Sequence, residues 1–423
     1  MMRPLEGMVV LDLTRVVAGP WATQLLGDLG ATVWKVEPPG AGDDTRRIGP
    51  HLRDASGAPT RESAFYLACN RNKRGLAIDV QRPEGAALVR DLARHADVFV
   101  ENSKAGSLEK LGLGAAQLRA LNPRLVTCSI TGFGPDGPYA RRPAYDVIMQ
   151  GMAGLMSTVG EPDGPPTRTA IPVTDLFTGM TAAVGVLGAL LRRARTGEAG
   201  HVDCAMLDAS VAMTAHLMLG FLMTGEVPAR IGNSNPVAAP SNVYPTADGH
   251  VIVGAGNDRQ FEALCAALGR DDLAADPRFA SNDLRVRHRA ALDAEVAGAL
   301  RARPTAAWIA ALEAAGVPCG PILDMRGVAD DPQVAHRGLI RSVPHAAGVA
   351  APLLRSPLRL SGEEEPLAAP PPLGADTAAV LGAVLGLDEA RLRALAAAGV
   401  IGLGDGAAGA ADQGRGRNST KYS

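Results

Sequence analysis

The sequence predicts an α/β protein: a large domain on a doubly wound parallel sheet, carrying a smaller α+β domain. Three observations predict it. The first 130 residues alternate short apolar strands with helical segments, the pattern of a parallel sheet covered by helices on both faces. Beyond residue 224 the alternation gives way to a hairpin and a run of helices. The chain also has 423 residues, more than one hydrophobic core usually organises.

The elements follow in order. "MVVLDLT" (8–14) reads as a buried strand, and "PWATQLLGDLG" (20–30) as a helix opened by Pro20 and closed by Gly30. "ATVWKVE" (31–37) is a second strand and "RGLAIDV" (74–80) a third. The helix "PEGAALVRDLARHA" (83–96), the strand "DVFVEN" (97–102), the helix "GAAQLRALN" (114–122) and the strand "LVTCSIT" (125–131) complete the alternation. Residues 174–222 read as a long helix followed by more helix. "SNVYPTADGHVIVGAGN" (241–257) is a hairpin with "ADG" as its turn, helices follow at 258–268, 286–302 and 304–315, and "GVPCGPIL" (316–323) is a return strand. The expected division is 1–224 for the large domain, 225–325 for the small one, and 326–403 rejoining the first. The Gly- and Ala-rich tail, 404–423, is expected to be disordered.

Composition narrows the function. Lys and Arg total 42 against 44 Asp and Glu, which argues against a nucleic-acid partner. No stretch reaches the roughly 20 unbroken apolar residues of a membrane span, so no membrane is expected. The five Cys are scattered without CxxC spacing and the eight His do not pair at ligand spacing, so no metal is expected. Free thiols and an N-terminus without an apolar signal core point to a cytoplasmic protein.

In a parallel sheet, ligands bind beyond the carboxyl ends of the strands. That directs attention to the loops 15–20, 38–50, 102–107 and 132–146. "CNRNKRG" (69–75) is a basic loop in which Arg71, Lys73 and Arg74, with the amides of Asn70 and Asn72, either suit a phosphate or pyrophosphate or form a solvated charge run. "RVVAGPW" (15–21) is a strand-to-helix turn fit for the same group, but it is neither GxGxxG nor a P-loop, so dinucleotide and nucleoside-triphosphate binding are poorly supported. "VGAGNDRQF" sets Gly254 and Gly256 just past a strand, where bare backbone N–H groups form either an oxyanion site or a simple turn. "SITGFGPDGPYARRPAYD" ends on Tyr145 and Asp146. In "IPVTDLFTGM" a lone acid, Asp175, stands at an apolar helix start. There it either caps the helix or acts as a covalent nucleophile toward an activated acyl group, chemistry that needs no His, Ser or metal beside it.

These segments together resemble the family III CoA-transferases (formyl-CoA transferase-like, CaiB/BaiF family). The resemblance rests on "PLEGMVVLDLTRVVAGPWATQLLGDLGATVWKVE", "NRNKRGLAIDV", "VFVEN", "LEKLGLG", "SITGFGPDGP", "PAYDVIMQGMAGLMSTVG", "IPVTDLFTGMTAAVGVLGALL" and "GVPCGPI", and spans about residues 4 to 402. "VGAGNDRQFEALC", "GVPCGPI" and "DPQVAHRGL" look most like the succinate–hydroxymethylglutarate (glutarate-type) dicarboxylate enzymes. The resemblance implies a Rossmann-like large domain and two chains threaded through each other as an interlocked homodimer. It implies coenzyme A thioesters and carboxylic acids as substrates, with no tightly bound cofactor.

It also implies roles for residues. Asp175 matches the family's catalytic aspartate, which forms an acyl-aspartyl anhydride and then an aspartyl-CoA thioester before the acceptor acid takes the CoA. Val16 and Ala18 match the first CoA-contacting loop, Asn72, Lys73 and Arg74 the CoA-phosphate loop, Asn102 the Asn of "ENFRPG", and Gly254 and Gly256 the loop covering the intermediates. Three positions depart. The turn reads "ENSKAG", with Ser103 and Ala105 in place of an aromatic and a Pro, and Pro38 stands where an Arg often contacts CoA, leaving Arg46 or Arg47 to compensate. Succinyl-CoA is the preferred donor, and Arg46, Arg47, Arg141 and Arg142 are the candidates to hold a dicarboxylate acceptor. The rival reading is an α-methylacyl-CoA racemase of the same fold, whose base is a His before the Asp of "AYD". Here that position is Tyr145. A non-catalytic CoA-binding protein and an oxidoreductase are weaker alternatives, disfavoured by the intact Asp175 segment and the missing GxGxxG.

Overall fold

The structure, a computed structural model, describes residues 3–360 and 366–404. The tail expected to be disordered lies, beyond Gly404, outside the described residues. The chain forms two compact units. The first takes Met1–Ala153, Ala170–Ala215 and the described residues from Arg337 onward, and the second Gly154–Thr169 and His216–His336. The second unit therefore begins earlier and ends later than 225–325, and it recruits the segment 154–169, which carries no strong periodicity to betray it.

The first unit is built on strands β1 (Val9–Leu13), β2 (Thr32–Glu37), β3 (His51–Arg53), β4 (Pro59–Ser63), β5 (Lys73–Ile78), β6 (Val98–Glu101), β7 (Val126–Thr131) and β8 (His201–Ala205). Its helices are α1 (Ala18–Asp28), α2 (Ala64–Cys69), α3 (Pro83–Ala93), α4 (Ala115–Leu121), α5 (Asp146–Met152), α6 (Leu155–Thr158, already in the second unit), α7 (Val173–Thr196) and α8 (Met206–Met213). In the second unit lie α9 (Ala215–Thr224) and an antiparallel sheet of β9 (Ser241–Pro245), β10 (His250–Gly254) and β11 (Cys319–Pro321). The first unit resumes with the hairpin β12 (Ile340–Pro344) and β13 (Ala350–Leu354), the helices Thr377–Leu385 and Glu389–Ala397, and β14 (Ile401–Gly402).

The main sheet runs β14-β5-β2-β1-β6-β7-β8, all parallel except β14, which pairs antiparallel with β5. Alternation along each strand sends side chains to both faces. Leu11, Leu13, Trp34, Val36, Leu76, Ile78 and Phe99 pack under α3 and the C-terminal helices. Val10, Val33, Val98, Val100, Val126 and Ile130 pack under α1 and α7. From β1 the chain winds outward through β2 and β5, then returns to lay β6 on the other side of β1. The loops after β1 and β6 therefore diverge, and the crevice between them is where such sheets take ligands.

Two features differ from expectation. The segment 197–205 is not helix: Gly197 ends α7 in the left-handed region at φ 78°, and "HVDCA" joins the sheet edge as β8. Helix α7 is long and apolar enough on average to cross a membrane. In this unit its face carrying Thr178, Ala182, Ala183, Val186 and Leu190 is buried in the core under the sheet.

Candidate active site

A cavity of about 270 Å³ opens at the switch point between β1 and β6. Its wall comes from strand carboxyl ends and the loops that follow them: Arg15 to Ala18 after β1, Asn102 to Ala105 after β6, Ile130 and Thr131 at the end of β7, and Gly132, Ala140 and Arg142 to Tyr145 beyond it. Asp175 and Met206 close it. Of the residues singled out in the sequence, Val16, Ala18, Asn102, Arg142, Tyr145 and Asp175 meet here, together with the departures Ser103 and Ala105.

The two diverging loops are tied together by one side chain. Asn102 accepts a hydrogen bond from the Arg15 N–H at 2.8 Å and donates to the Arg15 carbonyl at 2.7 Å. The next residue, Val16, has φ 70°, a left-handed conformation that a β-branched side chain resists. It is held there by its N–H donating to the Asp43 carboxylate at 3.3 Å, and Asp43 is in turn fixed by Lys35 at 3.0 Å. The strained turn delivers the chain into α1, whose first turn has no side-chain cap. The N–H groups of that turn, beginning at Ala18, are thus left for a ligand carrying negative charge.

Helix α7 brings Asp175 to the same place. Asp175 and Gly179 are four residues apart, so they share a helix face. A Cβ on Gly179 would come within 2.4 Å of the Ala18 carbonyl oxygen, so only glycine lets α7 approach the start of α1 this closely. The capping role open to Asp175 belongs instead to Asp146, the first residue of α5. Its Oδ1 accepts from the Thr174 N–H at 2.9 Å and the Thr174 hydroxyl at 2.6 Å, and its Oδ2 accepts from Gln150 at 2.6 Å. Only the Asp175 backbone N–H touches Asp146, at 3.4 Å. Among the described residues nothing hydrogen-bonds the Asp175 carboxylate. Half-buried, it is pushed up to about 7 by desolvation and by the nearby Asp146 charge.

The basic loop 69–75 is placed differently from its sequence reading. Lys73 pairs in register with Val33 at the start of β2, so the loop enters the amino end of its strand, away from the strand ends that form the cavity. Lys73 Nζ is fully buried between Asp12 (3.0 Å), the Pro20 carbonyl (2.9 Å), Thr23 (2.8 Å) and Asn70 (2.9 Å), and burial pulls it down to about 8. Asn72 donates to Asp28 and to the Pro366 carbonyl and accepts from the Ala368 N–H, pinning the returning chain. Arg74 alone of the three has an exposed side chain. Arg46 is buried too, with Glu37 at 2.7 Å, Glu62 at 3.0 Å and the Tyr66 ring beneath it, and Arg47 pairs with Asp44 at the surface. None of these lines the cavity: Asn72, Lys73, Arg46 and Arg47 are each held by an internal or neighbouring anion, and Arg74 points elsewhere on the surface. Gly254 and Gly256 lie in the second unit at the end of β10, where a Cβ on Gly256 would meet that of Ala238 at 2.9 Å.

Arg142, one of the four arginines singled out for an acceptor carboxylate, does line the cavity, and two residues not singled out, Arg15 and Lys104, are the other cations of its wall. Arg15 and Lys104, with Lys110 and Pro38, also line an adjoining cavity of about 520 Å³ over the ends of β1 and β2. Arg142 lies 3.9 Å over the Tyr139 ring and pairs with no carboxylate among the described residues. The signal for Arg15 and Lys104 was position, since each sits in a loop following a strand, but neither belongs to a run of charge that would draw the eye. Asp146 could have been found as an acid heading an apolar helix. Among the described residues no three His, Cys, Asp or Glu side chains are grouped to hold a metal.

Comparison with known proteins agrees with this geometry. The sequence profile of CoA-transferase family III matches residues 5–377. Succinate–glutarate CoA-transferase of Agrobacterium fabrum is 44% identical over 363 residues, covering 85% of this chain and 90% of that protein. Succinyl-CoA:glutarate CoA-transferase of Mus musculus is 39% identical over 404 residues, covering 95% and 91%. The crystal structure of a CAIB/BAIF family protein from Brucella suis superposes with a TM-score of 0.81 at 41% identity, over 91% of this chain and 100% of that one. The chain belongs to CoA-transferase family III.

Proposed function

We propose that this enzyme moves CoA from succinyl-CoA to a second dicarboxylic acid, with Asp175 as the covalent nucleophile. The observation that carries the reading is the Asp175 carboxylate itself: half-buried, without a hydrogen-bond partner among the described residues, and facing a cavity whose other wall is the uncapped start of α1. An Asp175 oxygen attacks the thioester carbonyl, the C–S bond breaks, and CoA leaves as thiolate, giving a mixed anhydride. The thiolate attacks the aspartyl carbonyl, forming aspartyl-CoA thioester and releasing the donor acid as its carboxylate. The acceptor carboxylate attacks that thioester and expels the thiolate again, and the thiolate then takes the acceptor acyl group and restores Asp175. No proton or electron is gained or lost over the cycle. The N–H groups of the first turn of α1 suit the oxyanion that develops at each attack.

Arg15, Lys104 and Lys110 are suited to the phosphates of CoA, since Arg15 and Lys104 rim both adjoining cavities and Lys110 the larger one. Arg142, braced on Tyr139, is suited to the far carboxylate of the dicarboxylic acid. The interlocked homodimer is supported by helix α9, an apolar segment that buries none of its residues within the chain, with Leu222 67% and Met223 84% exposed. Light scattering of the pure protein checks it, and a monomer refutes it. Against the racemase reading stands Tyr145, which lines the cavity at the position where the resemblance expects a racemase's His.

The test is intact-protein mass after mixing with succinyl-CoA, beside an Asp175→Ala control. A CoA-sized adduct on the native protein alone, released by hydroxylamine, supports the mechanism. No adduct, together with exchange of the α-proton of a branched acyl-CoA, refutes it in favour of the racemase.

A further inference from the structure

We infer that Asp146 is a positioning residue for the reaction: it caps helix α7 in place of Asp175, so that the nucleophile is kept at the helix start without being captured by it. The inference rests on the reading of Asp175 as nucleophile.

The argument begins with a conflict. An Asp in the first turn of a helix is drawn to the free N–H groups there and to the positive end of the helix dipole. A carboxylate so bonded is a poor nucleophile, because its lone pairs are occupied and its charge is stabilised. Helix α7 begins at Val173 with Pro172 before it, and no side chain of its own caps it. Asp175 would be the natural partner for those groups. The structure resolves the conflict by bringing an acid from another helix. Asp146 Oδ1 takes the Thr174 N–H and hydroxyl at 2.9 and 2.6 Å, and Gln150, one turn along α5, holds its Oδ2 at 2.6 Å. Thr174 is fully buried, so this cap is not replaceable by solvent.

The same placement has an electrostatic effect. A second negative charge near Asp175 disfavours its ionisation and strengthens it as a nucleophile once ionised. Among the described residues, Asp146 is the one charged group that, beside burial, shifts the Asp175 carboxyl. The other groups around it are accounted for. Helix α2 presents the Cys69 thiol, which is itself pushed up to about 12 by burial. Asp203 on β8 and Asp208 on α8, packed behind α7, do not bear on Asp175. The cavity wall adds Arg15, Asp44, Lys104, Arg142 and the Tyr145 phenol.

Two substitutions in the full-length protein separate the two effects. Asp146→Asn keeps an oxygen for Thr174 and removes the charge. It is expected to move the acidic limb of kcat/KM, and the Asp175 carboxyl titration read by 13C NMR, down by roughly 0.5 to 1 pH unit, with KM for succinyl-CoA unchanged. Asp146→Ala removes the cap. It is expected to lower kcat roughly 10- to 100-fold as Asp175 turns back to its own helix, with the fold checked by circular dichroism. A limb and titration unmoved in Asp146→Asn, or a native kcat in Asp146→Ala, overturns the inference. Intact mass is recorded on each sample. Native protein that forms no adduct with succinyl-CoA refutes the nucleophile reading itself, a result distinct from an adduct that forms with an unmoved titration.

Discussion

Asp12, near the end of β1, and Asp175, at the start of α7, are aspartates in opposite surroundings. Asp12 is completely buried, yet Lys73 meets it at 3.0 Å and the hydroxyls of Thr14 and Thr23 at 2.5 and 2.6 Å. Burial pushes it up, but Lys73, Lys35 and the two hydroxyls outweigh burial and hold it below the usual carboxylate range. Asp175 is less buried and has no such company, so burial and the Asp146 charge carry it up to about 7. Depth alone does not decide which acid is reactive. Partners do: a carboxylate given cations and hydroxyls becomes part of the frame, and one denied them remains available for chemistry.

The largest effect that sharpens this contrast is on turnover. Asp175→Ala is expected to lower kcat by on the order of 10³-fold or more, since no neighbouring carboxylate is free to replace the nucleophile. Steady-state CoA transfer from succinyl-CoA measures it, and a loss below tenfold would dissolve the distinction. Asp12→Asn is expected to act on stability instead. It leaves Lys73 and Lys35 buried with one anion fewer, at a cost of about 3–5 kcal/mol, read as a lower urea midpoint. An unchanged midpoint would show that the ion cluster is not what fixes Asp12.

Gly179→Ala tests how the two helix starts are brought together. The new methyl would meet the Ala18 carbonyl oxygen at 2.4 Å, so α1 and α7 must separate. The expected cost is about 1–3 kcal/mol with a fall in kcat as Asp175 is drawn back from the uncapped turn. Native kcat and Tm in that variant would show the close approach to be unnecessary.

Much of this frame was legible. The strands at Val9–Leu13, Thr32–Glu37, Val98–Glu101 and Val126–Thr131 were plain because buried parallel strands are short apolar runs. Loops beyond their carboxyl ends do line the cavity, and Asp175 stood out as an acid in an apolar stretch. Strand β8 was not legible: "HVDCA" is short, lies at the sheet edge, and abuts two helical segments that absorb it in any window average. The basic loop at 69–75 misled for a different reason. A run of Arg and Lys looks the same whether it faces solvent or meets Asp28 and Asp12 from elsewhere in the chain, and here Arg71 and Lys73 do the latter. The Asp146 cap was hidden likewise, because its partner Thr174 is 28 residues away. Local pattern reveals elements, but pairing between distant side chains appears only in the fold.

The smallest effect bears most directly on what separates the two acids. Burying Asp175 near Asp146 has a thermodynamic consequence with a definite sign. The folded protein holds its proton up to about pH 7, whereas the ordinary value is 3.8. Below about pH 4 the group is protonated in both states and contributes nothing. As pH rises from about 4 to about 7 the unfolded chain releases the proton freely and the folded chain does not, so stability falls, and above 7 the deficit is constant. Asp175→Asn removes the charge and should therefore be the more stable protein at pH 8, by on the order of 1 kcal/mol once screening of a half-buried group is allowed for. The gain in Tm should shrink on acidification and vanish near pH 4. For Asp12→Asn the corresponding loss should be largest at neutral pH, because a carboxylate held below its ordinary value stabilises the fold where it is ionised. Melting curves of both variants at pH 4, 6 and 8 make the comparison. A Tm for Asp175→Asn that is lowered, or raised equally at every pH, would mean that the carboxylate finds a partner in solution and is not the unpaired acid the cavity presents.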